Sequence, residues 1–192
     1  MTLGLSSCTG DFLDMAPSDQ TTTKEAITTA GDVKNAVNGL YALMASTYYY
    51  NASMFLYGDV KGDDMQPTYW SSGRTAYPFY FFEHSASVPN SGGLWGRPYY
   101  IIRNAFNIQK AIDDGKVSGD DEQLDEYKGE ALASIALCYF DLTRIYGYPY
   151  AKDNGASPGV PLLDHAINYG ETVERNTVAE CYDYIIDKLQ TA

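Results

Sequence analysis

No stretch of this chain approaches the ~20 consecutive apolar residues that a bilayer-crossing helix needs, which argues against a bundle of membrane-spanning helices. Cysteine is scarce: Cys8, Cys138 and Cys181 do not make a disulfide framework. Basic residues are few as well, 13 against 25 acidic ones, and a net charge of −12 would repel a phosphate backbone rather than release its counterions. Nucleic acid is therefore not an expected partner. Catalytic signatures are missing too. There is no Gly-x-Ser-x-Gly elbow, no His-Glu-x-x-His pair, no phosphate-binding glycine loop and no CxxC. The two histidines, His84 and His165, stand apart from the cysteines, so no zinc site is expected. Asp63 and Asp64 are adjacent and would point to opposite faces of a strand, whereas glycoside hydrolysis needs two carboxylates facing each other about 5–9.5 Å apart. The sequence predicts neither an enzyme nor a cofactor.

What is present is an ordinary globular balance, 45% apolar and 20% charged, in 192 residues, enough for one domain with a real core. Tyrosine stands out at 18 residues. It offers a flat apolar face, a hydroxyl tip and few rotors to immobilise, which suits surfaces that bind sugars, peptides or proteins.

Apolar spacing reads as helices. Leu124, Tyr127, Ala131, Ile135, Cys138, Leu142 and Ile145 recur at steps of three and four, one stripe along about six turns, starting from a capping box at Asp120 and Gln123. Gly147 stands where a left-handed C-terminal cap is wanted, and Pro149 follows. Val33, Ala36, Val37, Leu40, Tyr41 and Met44 predict an earlier helix with Asp32 as N-cap. A short piece covers Met54 to Val60. Trp95, Tyr99, Ile102 and Phe106 predict a helix that tolerates Pro98 in its first turn, with Trp95 in the core. The last helix begins at the Thr177/Glu180 capping box and carries Val178, Cys181, Tyr182, Ile185, Ile186 and Leu189 as its stripe. Cys138 and Cys181 fall on apolar helix faces and are expected as buried free thiols, although an exported protein could also bridge them. The fold class is all-α.

Residues 61 to 94 form a connection too long for an ordinary loop, a length that usually signals function or disorder. Tyr69, Trp70, Tyr77, Phe79, Tyr80, Phe81 and Phe82 lie in it, with Asp63, Asp64, Arg74, Glu83 and His84 among them. Aromatic faces stack on sugar C–H faces or peptide side chains, while a carboxylate and a guanidinium supply directional hydrogen bonds. Within it, Pro78–Phe82 is expected to pack under the loop and Asp63-Asp64 to form a turn after Gly62. Trp70 suits packing or binding equally. At the other end of the chain, Leu5-Ser6-Ser7-Cys8 has the small residues a lipoprotein signal peptidase accepts before a lipid-modified cysteine, behind a signal too short to be whole.

Five places together resemble the N-terminal half of the SusD/RagB family of nutrient-capturing outer-membrane lipoproteins. They are Cys8 with Asp11-Phe12-Leu13-Asp14 and Pro17; Ala36 to Tyr41; Trp95, Tyr99, Ile102 and Asn104; Gly129 to Leu142 with Tyr146-Gly147 and Pro158 to Leu162; and Arg175-Asn176-Thr177-Val178. Ile135 departs from the pattern, since members usually carry an arginine there, which weakens any inference of a buried ion pair on that helix. The resemblance implies tetratricopeptide-like stacked helix pairs with a long aromatic loop insertion, residues 1–24 being a lipoprotein tether with a truncated signal and 25–192 an N-terminal helical-repeat domain, incomplete at its C-terminus. It further implies lipid on Cys8, an outer-membrane, surface-exposed location, and delivery of ligand to a SusC-like TonB-dependent barrel. By the same resemblance Tyr69, Trp70, Arg74 and Tyr77 contact an oligosaccharide, with Asp63 and Asp64 as polar partners. A RagB-like peptide ligand, or a scaffold binding only protein partners, remains the alternative.

Overall fold

The computed structural model describes residues 26–62, 65–66, 77–83, 89–168 and 170–192, with the backbone alone at 77–78 and 89–92. Among these residues the chain forms α1 (Ala30–Met44), α2 (Ser53–Asp59), the single turn α3 (Tyr77–Tyr80), α4 (Pro89–Asp113), α5 (Asp121–Tyr146) and α6 (Val178–Thr191), with a 3₁₀ turn at Tyr150–Lys152 and no strand. The all-α expectation holds.

Three helices, α1, α5 and α6, begin where a side chain satisfies an orphan amide of the first turn. In α1 the cap is Thr29, one turn earlier than the expected Asp32. The Thr29 hydroxyl accepts from the Asp32 amide at 3.2 Å and the Asp32 carboxylate accepts from the Thr29 amide at 2.9 Å, a reciprocal box that a cap at Asp32 could not form. The Thr29 hydroxyl, donating to the Asp32 carboxylate at 2.8 Å, and then the Thr28 and Thr29 amides hold the Asp32 carboxyl below the usual carboxylate range. In α6 the Thr177/Glu180 box forms as expected. In α5 Asp120 accepts from the Gln123 amide at 3.2 Å, but the return bond of a full box is not made.

Pro98 lies ten residues into α4 rather than in its first turn. A proline there removes a backbone donor, and the helix continues because tertiary packing outweighs that loss. Leu94 is buried, and the half-buried Trp95 ring meets Tyr99 at 5.1 Å and Tyr146 edge-on at 4.9 Å, pinning the turns before Pro98 to the core.

The central helix is α5, against which α1, α4 and α6 all pack. Its expected single stripe is wider in the structure: Leu132, Ser134, Ala136, Tyr139, Asp141 and Thr143 are buried beside Ala131, Ile135, Cys138 and Leu142. A helix enclosed on several sides needs apolar residues around more of its circumference. Ile135 is fully buried and belongs to one contiguous core with Val33, Val37, Leu40, Ile101, Ile102 and Ile185. On α6 the stripe is narrower than expected. Val178, Cys181 and Ile185 are buried, whereas Ile186 and Leu189 are 51% and 55% exposed.

One polar network penetrates this core. Asp141 is 1% exposed and accepts from the hydroxyls of Tyr49 and Tyr50, each at 2.6 Å, and from Arg144 Nη2 at 2.6 Å. The long helix therefore does carry an ion pair with one buried partner, two turns beyond Ile135.

The segment between α5 and α6 is stitched by the motif residues themselves. Gly159 donates to Asn176 at 2.7 Å, Asn176 donates to Val160 at 3.2 Å, and the Arg175 guanidinium reaches the carbonyls of Gly159 and Tyr146, each at 2.6 Å. The buried Tyr139 hydroxyl accepts from the Leu163 amide and the Tyr184 hydroxyl donates to the Leu163 carbonyl, both at 2.7 Å. Gly147 is extended (φ −87°, ψ 167°), not left-handed. Its role is close approach, since a Cβ there would lie 2.6 Å from the Thr143 carbonyl oxygen. Cys138 and Cys181 are buried free thiols, as expected, and burial pushes the Cys138 thiol up to about 12.

Candidate functional site

Of the residues expected to contact ligand, Asp63, Asp64, Tyr69, Trp70 and Arg74 lie outside the described residues, as do Cys8 and His84. Tyr77 opens α3, where the backbone alone is described. The same connection is described at its two edges. On one side α2 carries Tyr57, and Lys61 follows. On the other α3 ends in Phe79 and Tyr80, followed by Phe81 and Phe82.

Of the Pro78–Phe82 run expected to pack under the loop, Phe79 is buried with its ring 5.9 Å from Tyr57, edge to face, and Tyr80 is half-buried. Phe81 and Phe82 project into solvent at 51% and 64% exposure. The turn closes with the Phe82 amide donating to the Phe79 carbonyl at 3.2 Å and with a positive φ of 58° at Phe82, and the Phe81 ring meets Tyr80 edge-on at 5.1 Å. The Lys61 ammonium stands 4.1 Å from the Tyr57 ring centroid and 5.6 Å from that of Phe82. The result is an aromatic edge with a cation beside it, and its root is part of the hydrophobic core.

Sequence reasoning missed a second concave surface, along the outward face of α4. Between α1 and α4 lies a groove of about 790 Å³ lined by Asn35, Gly39, Leu43, Tyr100, Asn104 and Asn107. Between α4 and the 161–173 segment lies another of about 570 Å³, lined by Trp95, Tyr100, Arg103, Pro161, Ile167 and Val173. Tyr100 belongs to both. The signal was available as asparagines at helical spacing, which read like an ordinary solvated face.

His165 sits between two carboxylates, Nδ1 at 2.5 Å from Asp164 and Nε2 at 3.0 Å from Glu171. Asp164 first and Glu171 second raise its pKa above the ordinary imidazole value. The pairing is full below that ordinary value and fades as pH rises through the raised one. Proton NMR titration, assigned against a His84→Asn variant, is expected to give His165 a pKa above about 6.5, lowered in Glu171→Gln. A value at or below the ordinary one would show that the two carboxylates do not hold the ring. Among the described residues no group of three His, Cys, Asp or Glu could hold a metal ion, and no helix is long and apolar enough to cross a membrane.

Residues 11–192 match the SusD-like family whose description reads "Starch-binding associating with outer membrane". The chain belongs to the SusD-like family. Its fold agrees with solved SusD structures. A SusD superfamily protein from Bacteroides vulgatus is 53% identical with a TM-score of 0.80, covering 85% of this chain and 37% of its own. A putative sugar binding protein from the same species is 39% identical with a TM-score of 0.75, over 86% of this chain and 37% of its own. A SusD superfamily protein from Bacteroides thetaiotaomicron is 31% identical with a TM-score of 0.76, over 84% and 36%. This SusD-like chain thus spans little more than a third of the length of those relatives. No curated protein matches it.

Proposed function

We propose that this SusD-like chain contributes to capture of an oligosaccharide at the outer surface of the cell and to its delivery to a SusC-like, TonB-dependent outer-membrane transporter. The observation that carries the reading is the aromatic edge. Phe81 and Phe82 stand exposed where the 61–94 connection leaves the core, in a chain whose family is described as starch-binding. Rings displayed beside a cation cost apolar exposure that a purely structural loop would bury, and they suit stacking on sugar C–H faces.

In this reading Tyr69, Trp70, Arg74 and Tyr77 extend the edge as contacts, and Asp63 and Asp64 bond to sugar hydroxyls. Residues 1–24 act as a tether and Cys8 carries the lipid anchor. Ligand is held and released without turnover. Glycan is preferred to peptide because the family description names starch and a relative 39% identical is named a putative sugar binding protein.

Isothermal titration of the chain against a panel of neutral oligosaccharides and of peptides tests the proposal. Trp70→Ala and Phe82→Ala are each expected to weaken sugar binding about tenfold, roughly 1.4 kcal/mol, with an unchanged melting temperature. Binding confined to peptides would overturn the glycan assignment, and undiminished sugar affinity in both variants would remove the aromatic edge from the site.

A further inference from the structure

We propose that the outward face of α4 is a second sugar-contact surface, distinct from the 61–94 connection, which takes a neutral oligosaccharide across Tyr100. The inference rests on the glycan-binding reading and adds a place and a selectivity to it.

Tyr100, Arg103, Asn104 and Asn107 fall at i, i+3, i+4 and i+7, so one face of α4 presents them all. Two grooves, of about 790 and 570 Å³, flank this face and meet at Tyr100, whose ring is 49% exposed. Each lies within the ordinary size range of a ligand site, and Tyr100 lines both. The walls carry apolar groups, Gly39 and Leu43 on the α1 side and Pro161, Ile167 and Val173 on the other, with Asn35 and Asn168 among them.

The polar groups on this face differ from those of an ordinary solvated helix. One turn further along, Lys110 and Asp114 form an i,i+4 ion pair at 3.1 Å. On the groove face the groups are carboxamides, one guanidinium and, at the α1 end, the Asp32 carboxylate, which is engaged by Thr29 in the cap of α1. Asn104 donates from its amide nitrogen to the Tyr100 carbonyl at 2.6 Å, which leaves its oxygen to accept from a ligand. Asn35, Asn107 and Arg103 make no side-chain hydrogen bond or ion pair among the described residues. A carboxamide donates and accepts side by side, which matches vicinal hydroxyls, and a phenol ring stacks on the C–H face between them.

Charge selects the class of sugar. Nothing on this face beyond Arg103 offsets a net charge of −12, so a polyanionic glycan would be repelled and a neutral one would not. A peptide that binds by strand addition needs an open sheet edge, and no strand exists among the described residues.

The test is affinity electrophoresis and calorimetry of the 192-residue chain with maltohexaose, xylohexaose, laminarihexaose and mannohexaose, with hexagalacturonate and a tryptic casein digest as comparators. At least one neutral hexamer is expected to bind. Tyr100→Ala is expected to weaken it about tenfold and Asn107→Ala severalfold, with melting temperatures unchanged, while Tyr48→Ala, exposed away from both grooves, retains full affinity. Neutral-sugar binding that survives Tyr100→Ala and Asn107→Ala overturns the α4 surface and leaves the glycan reading standing. Failure of every sugar to bind overturns both. A preference for hexagalacturonate overturns the charge argument, and casein peptides lost on Tyr100→Ala in the absence of sugar binding would reassign the groove to peptides.

Discussion

Asp141→Ala is expected to destabilise the protein by about 3–5 kcal/mol and to lower its melting temperature by roughly 10 °C or more. The carboxylate is buried inside α5 and serves three donors at once, the hydroxyls of Tyr49 and Tyr50 and the Arg144 guanidinium. These donors do not lose equally when it goes. Arg144 is half exposed, packs its guanidinium 4.4 Å from the Phe140 ring centroid, and can turn to water. Tyr49 cannot, because its ring is fully enclosed and its hydroxyl would be left without an acceptor. The cavity left by the removed carboxylate adds to the cost. Asp141→Asn keeps an acceptor oxygen while losing the charge, so it is expected to cost about 1–3 kcal/mol. A Tyr49→Phe background should recover part of the alanine penalty, since the stranded hydroxyl is then absent. Urea and thermal unfolding of the four proteins measures all of this. An alanine variant within 1 kcal/mol of the parent would mean that the network is not what joins the Tyr49–Tyr50 turn to α5.

The same network marks a limit of reading the sequence. Asp141 sits in an otherwise apolar run and reads there as a residue on the solvent side of the stripe. Its partners lie in the turn after α1, where no periodicity exists, so a contact across ninety residues of chain leaves no local trace. Features decided within one turn were legible: the reciprocal cap at Thr177 and Glu180, the start of α5 at Asp120, and the burial of Cys138 and Cys181. Features decided by competition were not. Pro98 locally favours a helix start, but Leu94 and the Trp95–Tyr146 contact extend α4 past it. Phe79, Phe81 and Phe82 are chemically alike, and their places in the turn, not their chemistry, separate the buried ring from the exposed pair. The α4 groove was hidden for a related reason. Asn104 and Asn107 gain meaning only once α1 and the 161–173 segment stand on either side of them.

Gly155→Ala is expected to cost about 3 kcal/mol or more, because among the described glycines it joins a positive φ to a close backbone contact. Two penalties coincide there. The residue has φ +80°, next to Asn154 at +56°, so the chain between α5 and α6 turns through two left-handed residues in succession. A side chain in that region costs about 1–3 kcal/mol by itself. The added Cβ would also lie 2.8 Å from the Ala179 amide nitrogen and 2.7 Å from the Tyr150 ring. The ring can shift, but the backbone of the first turn of α6 cannot move alone. The Ala179 amide donates to the Gly155 carbonyl at 3.0 Å and the Gly155 amide donates to Tyr150 at 3.0 Å, so displacing either strand of this crossing loosens the other. Gly115 separates the two causes. It shares the positive φ, at +66°, but faces open space, and Gly115→Ala should therefore cost only about 1 kcal/mol from backbone conformation. Chemical denaturation of both variants decides the matter. Equal losses would show that handedness alone governs Gly155 and that the start of α6 is free to retreat. A loss at Gly155 exceeding that at Gly115 by about 2 kcal/mol would show that the helix is seated on that glycine, which ties the exit from α5 to the position of α6.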